Sequence, residues 1–299
     1  MTVTDEAVSI DIDRLTEPAG RVESYIRQFV RSRPMPRNLQ EAVEYALLGG
    51  GKRVRPILVI RACEAVGGDP DRAMPAAGAI ELIHNFSLVH DDLPAMDDDD
   101  LRRGRPTLHK HAGEAMAILA GDMMMGLAFE LLVTRTRPVV LAARIATELI
   151  EATNNMINGQ VYDTLPDFDD CMTDIQKLQT IHHNKTGALI RCSGRMGALA
   201  GDADDSQLHA IMTYAESLGL MFQVVDDLLD VTQSTDHLGK AAGKDVDAGK
   251  LTYPGVLGID ASRREVARLR DVALSAIEPL GGPADPLRQI CEFFAVRTR

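Results

Sequence analysis

The sequence predicts an all-α fold, and three observations support this class. Ala, Leu and Met supply most of the apolar positions, and these residues favour helices. Aromatic residues make up only 4% of the 299 residues, there is no Trp, and convincing strand alternation is scarce. Apolar residues also recur at three- and four-residue spacing along most of the chain. We therefore expect a multi-helix bundle that is larger than a simple four-helix bundle.

Eight segments carry the helical spacing, and Gly- and Pro-containing joints separate several of them. In chain order the predicted helices span residues 39–48, 57–66, 76–89, 115–132, 139–157, 175–199, 207–229 and 264–277. The joints lie at residues 49–51, 67–70, 136–138 and 281–283.

The domain organisation follows from the absence of any break in composition. Residues 1–20 are polar and aperiodic, which predicts a flexible N-terminal arm. Residues 21–299 contain no repeat, low-complexity tract or linker, so we expect one all-α domain.

The segment 115–132 is apolar on nearly all faces, with Gly121 and Gly126 allowing close approach. Such a helix lies in a core or at a subunit interface, and we expect a homodimer.

Charge and cysteine content exclude several functions. A net charge of −12 and a pI near 5.1 argue against a nucleic-acid partner. No apolar run reaches the length of a membrane span, since Asp122 interrupts residues 115–133, so stable membrane insertion is not expected. The N-terminus lacks the pattern of a signal peptide, and the four cysteines show no metal or disulfide spacing. These features predict a cytoplasmic protein with reduced thiols.

The first acidic cluster follows an apolar helical segment. Asp91, Asp92 and Asp97 have the spacing i, i+1, i+6, so they converge only if Pro94 bends the chain. The acidic run continues through residues 98–100, and one interpretation is therefore a solvated loop. The other is a cation site, because like charges this close repel each other unless cations neutralise them.

The second acidic cluster lies inside an apolar helical segment. Asp226 and Asp230 are one turn apart on the same face, as are Gln223 and Asp227. Burying three carboxylates there is costly unless they are paired or bind metal, and a buried salt-bridge network is the alternative. Carboxylates without His or Cys select Mg²⁺, which takes remaining ligands from water and substrate phosphates. Two such clusters facing each other indicate a diphosphate substrate.

Basic residues stand beside Gly turns or aspartates, which indicates anion clamps rather than solvated surface cations. Residues 49–51 are glycines that lead into Lys52, Arg53 and Arg55. This is not a Walker A loop, because its first Gly and the Ser/Thr after Lys are missing. The other candidates are Arg102, Arg103, Lys185 with Thr186, Lys240, Lys244 and Lys250.

These motifs together resemble the trans-isoprenyl diphosphate synthase family. The stretch ELIHNFSLVHDDLPAMDDDDLRRGRPT at 81–107 is similar to the first aspartate-rich region of that family, and FQVVDDLLD at 222–230 to the second. The motifs GKRVRP at 51–56, KTGAL at 185–189 and residues 239–254 match the remaining ones in order. The resemblance runs from about Leu39 to the C-terminus.

The resemblance implies an isoprenoid-synthase-type bundle around a central apolar cavity, with the two aspartate regions facing each other at its mouth. The family joins isopentenyl diphosphate head-to-tail to an allylic diphosphate and releases diphosphate. Three Mg²⁺ ions per site, with Mn²⁺ as an alternative, would be held by Asp91, Asp92, Asp97, Asp226, Asp227 and Asp230. The allylic diphosphate would contact Arg102 and the catalytic Lys185 and Lys240, with Thr186, Gln223 and Lys250 nearby. Isopentenyl diphosphate would contact Lys52, Arg55, His84 and Arg103.

Product length would follow from cavity depth. Phe86 and Ser87 lie five and four residues before Asp91, and in this family a bulky aromatic there resembles the floor of farnesyl-type enzymes. We expect a C15 product, with C20 as the alternative and plain core packing of Phe86 as a third interpretation. Gln160 and Asp163 also resemble a family motif, although Pro166 is expected to end that helix early.

Other classes remain open from the residues alone. A terpene cyclase would share the fold and metal sites but would have no use for a clamp at Lys52 and Arg55. A non-catalytic partner subunit usually has a damaged aspartate cluster, and both clusters are intact here. A Mg²⁺-dependent diphosphohydrolase would not need two aspartate regions and two basic clamps. A cyclase or hydrolase consumes an allylic diphosphate alone, whereas a synthase requires isopentenyl diphosphate.

Overall fold

Helices account for nearly all of the described chain, which confirms the all-α prediction. The computed structural model describes residues 12–236 and 251–296, and side chains within 15–231 and 251–296. The helices are α1 (Ile12–Arg31), α2 (Arg37–Leu47), α3 (Val54–Ala65), α4 (Pro70–Asp91), α5 (Leu108–Ala112), α6 (Glu114–Arg135), α7 (Val139–Thr164), α8 (Asp174–His182), α9 (Ala188–Ala200), α10 (Asp205–Asp236), α11 (Tyr253–Leu257), α12 (Ile259–Ile277) and α13 (Asp285–Val296). A π-helical turn (His183–Gly187) joins α8 to α9, and two 3₁₀ turns (Glu278–Leu280 and Gly282–Ala284) precede α13.

Helix α4 lies in the centre of the bundle and carries the first aspartate cluster at its end. Its N-cap Asp69 accepts a hydrogen bond from the Asp71 N–H, and Pro70 occupies the first turn, as is favourable for a helix start. Small residues let α6 approach closely, since a Cβ on Gly78 would lie 2.8 Å from Leu131 Cδ2. Burial on most sides fixes the direction of α4 and therefore the position of Asp91.

Helices α3 and α9 separate two apolar clusters. Val59, Ile60 and Cys63 of α3 face one cluster, and Ile57 and Leu58 face the other. The two helices pack tightly, because a Cβ on Gly197 of α9 would lie 2.1 Å from the Val59 carbonyl oxygen. Both clusters thus have the helix pair α3 and α9 as a common boundary. A single domain over residues 21–299 stays our prediction.

The N-terminal boundary differs from the expected flexible arm at residues 1–20. Helix α1 begins at Ile12, and Leu15 is buried against the bundle. The apolar spacing in this part of α1 depends on Leu15, Pro18 and Ala19, of which the last two are weak hydrophobic signals, so the pattern escaped detection.

A two-stranded hairpin follows the first aspartate cluster. Strand β1 (Leu101–Arg102) pairs antiparallel with β2 (Arg105–Pro106). Its turn contains Arg103 and Gly104, both with positive φ (54° and 74°). The hairpin is tied to α2 by the Tyr45 hydroxyl, which donates to the Pro106 carbonyl at 2.9 Å. This element holds Arg102 and Arg103 beside the cluster.

Helix α6 is, among the described residues, the one helix long and apolar enough to cross a membrane, with a mean hydropathy of 1.8. One face of α6 packs along α4, whereas Ile118, Leu119 and Val133 are exposed on the other. Helix α7 ends at Thr164, two residues before Pro166, as predicted. The four cysteines are free, and Cys63, Cys192 and Cys291 are buried.

Candidate active site

The end of α4 brings the first three aspartates together. The chain turns at residues 92–97, and the Asp97 N–H donates to the Asp91 carbonyl at 2.9 Å. This confirms the predicted fold-back around Pro94. Asp92 is buried, Asp91 is half-buried and Asp97 is exposed. Carboxylates at a helix C-terminus also face the negative end of the helix dipole, which makes a bound cation favourable.

Burial governs the electrostatics of this cluster. It raises the pKa of Asp91 to about 6, and the nearby Asp97 and Asp92 add to the rise while Lys185 and Arg102 oppose it. Burial also raises the pKa of Asp92, against the lowering effect of Arg102. Arg102 Nε lies 2.6 Å from Asp92 Oδ1. Arg102 therefore engages Asp92 directly, and the charges of Lys185 and Arg102 only partly compensate the burial of Asp91.

The second cluster has two half-buried members, Asp226 and Asp230, and one buried member, Asp227. Asp227 Oδ2 accepts from His182 Nε2 at 3.2 Å and from the Tyr253 N–H at 2.9 Å. The Tyr253 N–H belongs to the first turn of α11, so Asp227 binds this helix start to α10. The sequence treated the three aspartates as equivalent ligands, whereas one oxygen of Asp227 already has protein partners.

A π-helical turn places Lys185 in the site. The sequence predicted one continuous helix over residues 175–199, but in the structure the α-helix changes to a wider π-helical turn at His183–Gly187. Lys185 Nζ lies 2.6 Å from Asp163 Oδ2 on α7. Gly159 permits this approach, because a Cβ there would lie 2.2 Å from the Lys185 backbone nitrogen. Single π turns inside helices often occur at functional sites.

A cavity of about 470 Å³ opens beside Asp91 and Lys185. Its lining is mostly apolar and includes both residues predicted to set product length, Phe86 and Ser87. Other lining residues are Met96, Met156, Ile157, Gln160, Val161, Leu165, Thr186 and Leu189. Gln160 Nε2 is buried and has no hydrogen-bond partner among the described residues. An apolar pocket with a few polar groups at one end is the usual form of a ligand site.

A second cavity, of about 660 Å³, lies beside the Gly-rich turn. Arg55 and His84 line both cavities and thus stand where the two meet. Arg55 Nη1 is 3.2 Å from His84 Nε2. Burial lowers the pKa of Arg55 to about 10 and that of His84 well below its usual value, so at neutral pH the arginine is charged and the imidazole neutral. Lys52 and Arg103 also line this cavity.

Arg53 has a structural role that separates it from its basic neighbours. Its guanidinium is buried and forms ion pairs with Glu23 (2.7 Å) and Glu81 (2.6 Å). It also donates to the Leu47 carbonyl. These bonds fix the turn at residues 49–53. Arg103 is held to the same turn by a hydrogen bond to the Gly50 carbonyl.

The structure places half of the predicted site residues along the two cavities, and the lining of neither includes Gln223 or the second aspartate cluster. Around the two cavities lie Asp91, Lys52, Arg55, His84, Phe86, Ser87, Arg103, Lys185 and Thr186. Lys240 and Lys250 fall outside the described residues. Sequence reasoning missed His182 and Tyr253, the partners of Asp227. A His three residues before the KTG motif was the available signal for the first.

Comparison with known proteins agrees with this geometry. The polyprenyl synthetase family model matches residues 36–277. Geranylgeranyl pyrophosphate synthase 11, chloroplastic, of Arabidopsis thaliana is 46% identical over 273 residues, which cover 88% of this chain and 75% of the relative.

Solved structures share the fold along almost the whole chain. The geranylgeranyl pyrophosphate synthetase of Pyrococcus horikoshii superposes with a TM-score of 0.85 at 32% identity, covering 96% of this chain and 98% of that chain. An FPP/GFPP synthase of Zymomonas mobilis superposes with a TM-score of 0.82 at 34% identity, covering 95% and 100%.

Two expectations change with these comparisons. The predicted cytoplasmic location is wrong by this measure, because the plant relative is a chloroplastic protein. The N-terminal and cysteine arguments addressed secretion and oxidation, and neither distinguishes the cytoplasm from a plastid. The names of the relatives also favour the C20 alternative over the expected C15 product.

Proposed function

The chain belongs to the polyprenyl synthetase family and is a trans-prenyltransferase, and we propose that it condenses isopentenyl diphosphate with an allylic diphosphate to give geranylgeranyl diphosphate (C20). The main support is the meeting of two cavities at Arg55 and His84. The apolar one suits the prenyl chain, and the basic one suits a second diphosphate.

We assign the divalent metal to the two aspartate clusters. The raised pKa of Asp91 supports this assignment, since a carboxylate that is buried and also lies near Asp97 and Asp92 is stabilised by a cation. The proposed ligands are Asp91, Asp92, Asp97, Asp226 and Asp230. Asp227 would instead stabilise the packing of α11 against α10. Three Mg²⁺ ions per site, or Mn²⁺, would supply charge stabilisation of the diphosphate leaving group.

The chain's own cations would act on the same leaving group. Lys185 stands at the mouth of the apolar cavity, where its ammonium can move from Asp163 to a diphosphate oxygen. Arg102, Thr186, Gln223, Lys240 and Lys250 are the further proposed contacts of the allylic diphosphate. Donors placed where negative charge develops are usually the largest catalytic contribution.

The second diphosphate would be bound by Lys52, Arg55, His84 and Arg103. Arg55 Nε is buried without a hydrogen-bond partner among the described residues, so an anion there would satisfy it. The neutral His84 can donate one N–H without competing for charge. The released diphosphate is a plausible acceptor for the proton lost after C–C bond formation, and no side-chain base is required.

The apolar cavity would exclude water while the allylic cation exists. The proposed C20 product replaces the C15 expectation. Phe86 lines the cavity, but it is only 7% exposed and packs edge-on against His90 at 5.1 Å between ring centroids. Phe86 therefore bounds the space available to the prenyl chain, and its role as the floor of the cavity stays a prediction.

We further propose that the chain forms a homodimer through α6 and α7. Both helices expose apolar side chains along their length, including Ile118, Leu119, Val140 and Ile150. A contiguous apolar surface of this kind is typical of an interface. Leu119→Asp should shift the sedimentation coefficient to that of a monomer, whereas Val296→Asp, at an exposed apolar residue of α13, should not. A wild-type protein that sediments as a monomer would refute the proposal.

The experiment for the central proposal is an assay with Mg²⁺, isopentenyl diphosphate and dimethylallyl, geranyl or farnesyl diphosphate, with products measured by mass. We expect a C20 end-point that requires both Mg²⁺ and isopentenyl diphosphate. A C15 end-point would keep the activity and overturn the product assignment. Consumption of an allylic diphosphate alone would indicate a cyclase or hydrolase, and no turnover at all would indicate a non-catalytic subunit.

A further inference from the structure

Three metal-ligating side chains meet beside the hairpin, outside the site proposed above. One ligand atom each from Asp98, Asp100 and His109 lies within 4.8 Å of the other two. From the sequence, the run that includes Asp98 and Asp100 had two interpretations, a solvated loop or a cation site, and His109 had no assigned role. The hairpin itself brings them together, since the Thr107 N–H donates to the Asp100 carbonyl at 3.0 Å.

His109 is the member that distinguishes this group from a solvated acidic loop. Its side chain is almost fully covered, with 6% of the residue exposed. Its Nε2 is buried and has no hydrogen-bond partner among the described residues. A buried polar nitrogen without a partner is costly, and a bound ligand would remove that cost.

The hydrogen bonds around Thr107 fix the tautomer of this imidazole. The Thr107 hydroxyl lies 2.8 Å from the Asp99 carbonyl oxygen, to which it donates its single hydrogen. It can therefore only accept from His109 Nδ1, which lies 3.1 Å away. The proton is thus on Nδ1 and the lone pair on Nε2. A histidine held through its other nitrogen in this way is the usual arrangement of a metal ligand.

The ammonium group of Lys110 already lies beside one of these carboxylates. Lys110 Nζ lies 2.8 Å from Asp100 Oδ1, and the lysine side chain is 43% exposed. Lys110 can move into solvent at little cost, because exposed ion pairs contribute little to stability. Its presence shows that the position favours positive charge, and it should compete with a metal ion.

The type of metal follows from the donor set. Two carboxylates and one imidazole differ from the all-oxygen sets that Mg²⁺ prefers, and they suit Zn²⁺ and neighbouring transition metals. Ligand atoms around tetrahedral Zn²⁺ are about 3.4 Å apart when each lies about 2.1 Å from the metal. Small side-chain movements would therefore complete the site, with water as the fourth ligand.

We propose that Asp98, Asp100 and His109 form a binding site for one transition-metal ion, exemplified by Zn²⁺. The bound ion would link the residues just before β1 to α5. Asp98 and Asp100 precede β1, and His109 follows β2. A metal bound to all three would hold closed the hairpin that carries Arg102 and Arg103. The inference rests on these residues alone and stands whether or not the proposed C20 product is correct.

The test is Zn²⁺ binding to the full chain in the presence of excess Mg²⁺, measured by competition with a chromophoric chelator. We expect one equivalent of Zn²⁺ to bind. Asp98→Asn and His109→Gln should each weaken binding at least about tenfold. Thr107→Val, which removes the acceptor for Nδ1, should also weaken it by about 10–100-fold. Lys110→Met should tighten binding several-fold, because the competing ammonium is removed.

Two controls separate this site from other zinc ligands. Asp91→Asn alters the first aspartate cluster and should leave this Zn²⁺ affinity unchanged. X-ray absorption at the zinc edge should show imidazole and oxygen ligands without sulfur, which distinguishes the site from Cys171 on the surface. Unchanged affinity in Asp98→Asn, a variant of an exposed residue, would overturn the proposal, as would loss of binding in Asp91→Asn.

Discussion

Lys185 Nζ lies 2.6 Å from Asp163 Oδ2 and thereby joins the π-helical turn to α7. The same turn follows His182, whose ring contacts Asp227 in the second aspartate cluster. Lys185 also acts electrostatically on Asp91 in the first cluster. One short irregular segment therefore connects both clusters, and a displacement of that segment would affect both.

The first prediction concerns this ion pair. Lys185→Gln should lower kcat/KM for the allylic diphosphate by about 10²–10³-fold, because a donor to the leaving group is lost. Asp163→Asn should cost less than about tenfold, because the amide oxygen still accepts from Lys185 and only the charge is removed. Steady-state kinetics with geranyl or farnesyl diphosphate provide the measurement.

The comparison of these two variants is informative in either direction. Circular dichroism should be unchanged in both, since each substitution keeps a polar side chain of similar size. If Asp163→Asn is as damaging as Lys185→Gln, then Asp163 itself contacts the reacting groups and does more than hold Lys185.

The second prediction concerns Asp227, whose carboxylate has two protein donors. Asp227→Ala should lower the free energy of unfolding by about 1–3 kcal/mol, because the Tyr253 N–H and His182 are left buried without an acceptor. Urea denaturation without divalent cations measures this effect. Asp226→Ala is the matched control one residue earlier on the same helix.

We expect the Asp226 and Asp227 substitutions to affect different properties of the protein. Asp226 is half-buried, and its loss should weaken Mg²⁺ dependence of the reaction more than stability. Equal loss of stability in both variants would show that the cluster acts as a buried structural network, which was the alternative interpretation of this motif.

The third prediction is a pH dependence of stability at Asp91. An unfolded carboxyl ionises near 3.8, and the folded one only at about 6. The native state therefore binds more protons between these values, and its free energy of unfolding falls as the pH rises from about 4 to about 6. Asp91→Asn removes this loss and should stabilise the metal-free protein at pH 7.5 by about 3 kcal/mol.

Denaturation at pH 7.5 and pH 4.5 with a chelator present would check this. The gain should shrink at the lower pH, where Asp91 is protonated in the native state. Asp97→Asn serves as the control at an exposed carboxyl of the same cluster and should change stability by less than about 0.5 kcal/mol. A stabilisation of Asp91→Asn that persists at pH 4.5 would exclude ionisation as its cause.

The helical segments were predictable because they carry strong apolar periodicity. Helices α4, α6 and α10 lie where that spacing placed them and extend further at each end, since polar terminal turns carry no apolar signal. Helix α1 is absent from the predicted helices, although its buried Val22, Ile26 and Phe29 recur at three- and four-residue spacing and were an available signal. Short helices such as α5 have too few turns for any period to show.

The candidate site was predictable as residue types but not as contacts. The paired aspartates and the bend at Pro94 followed from spacing and elementary electrostatics. The different roles of Asp226 and Asp227 could not be predicted from spacing, because they depend on where α11 begins relative to α10. The π turn could not be predicted either, since it packs against Gly159 of a different helix and no local pattern marks it.

The fourth prediction addresses product length at Phe86. Phe86→Ala should lengthen the product by at least one C5 unit, because the cavity gains the volume of the ring. This truncation of a buried ring should also cost about 3–5 kcal/mol of stability, so Phe86→Leu is the milder companion. Ser87→Ala removes only a hydroxyl that donates to the His84 carbonyl and should leave the product unchanged. Identical products from all variants would mean that Phe86 is not in the path of the chain.

The fifth prediction uses a glycine that does not touch the cavity. A Cβ on Gly121 of α6 would lie 2.2 Å from His90 Nε2, so Gly121→Ala must displace that ring. His90 lines the apolar cavity on its other side and contacts Phe86, so displacement away from α6 narrows the cavity. We expect the product ratio to move from C20 towards C15. Gly126→Ala on the same helix has no heavy atom within 4 Å of its new Cβ and should keep the wild-type ratio. If Gly121→Ala keeps that ratio as well, the position of His90 does not limit the growing chain, and product length is set elsewhere in the cavity.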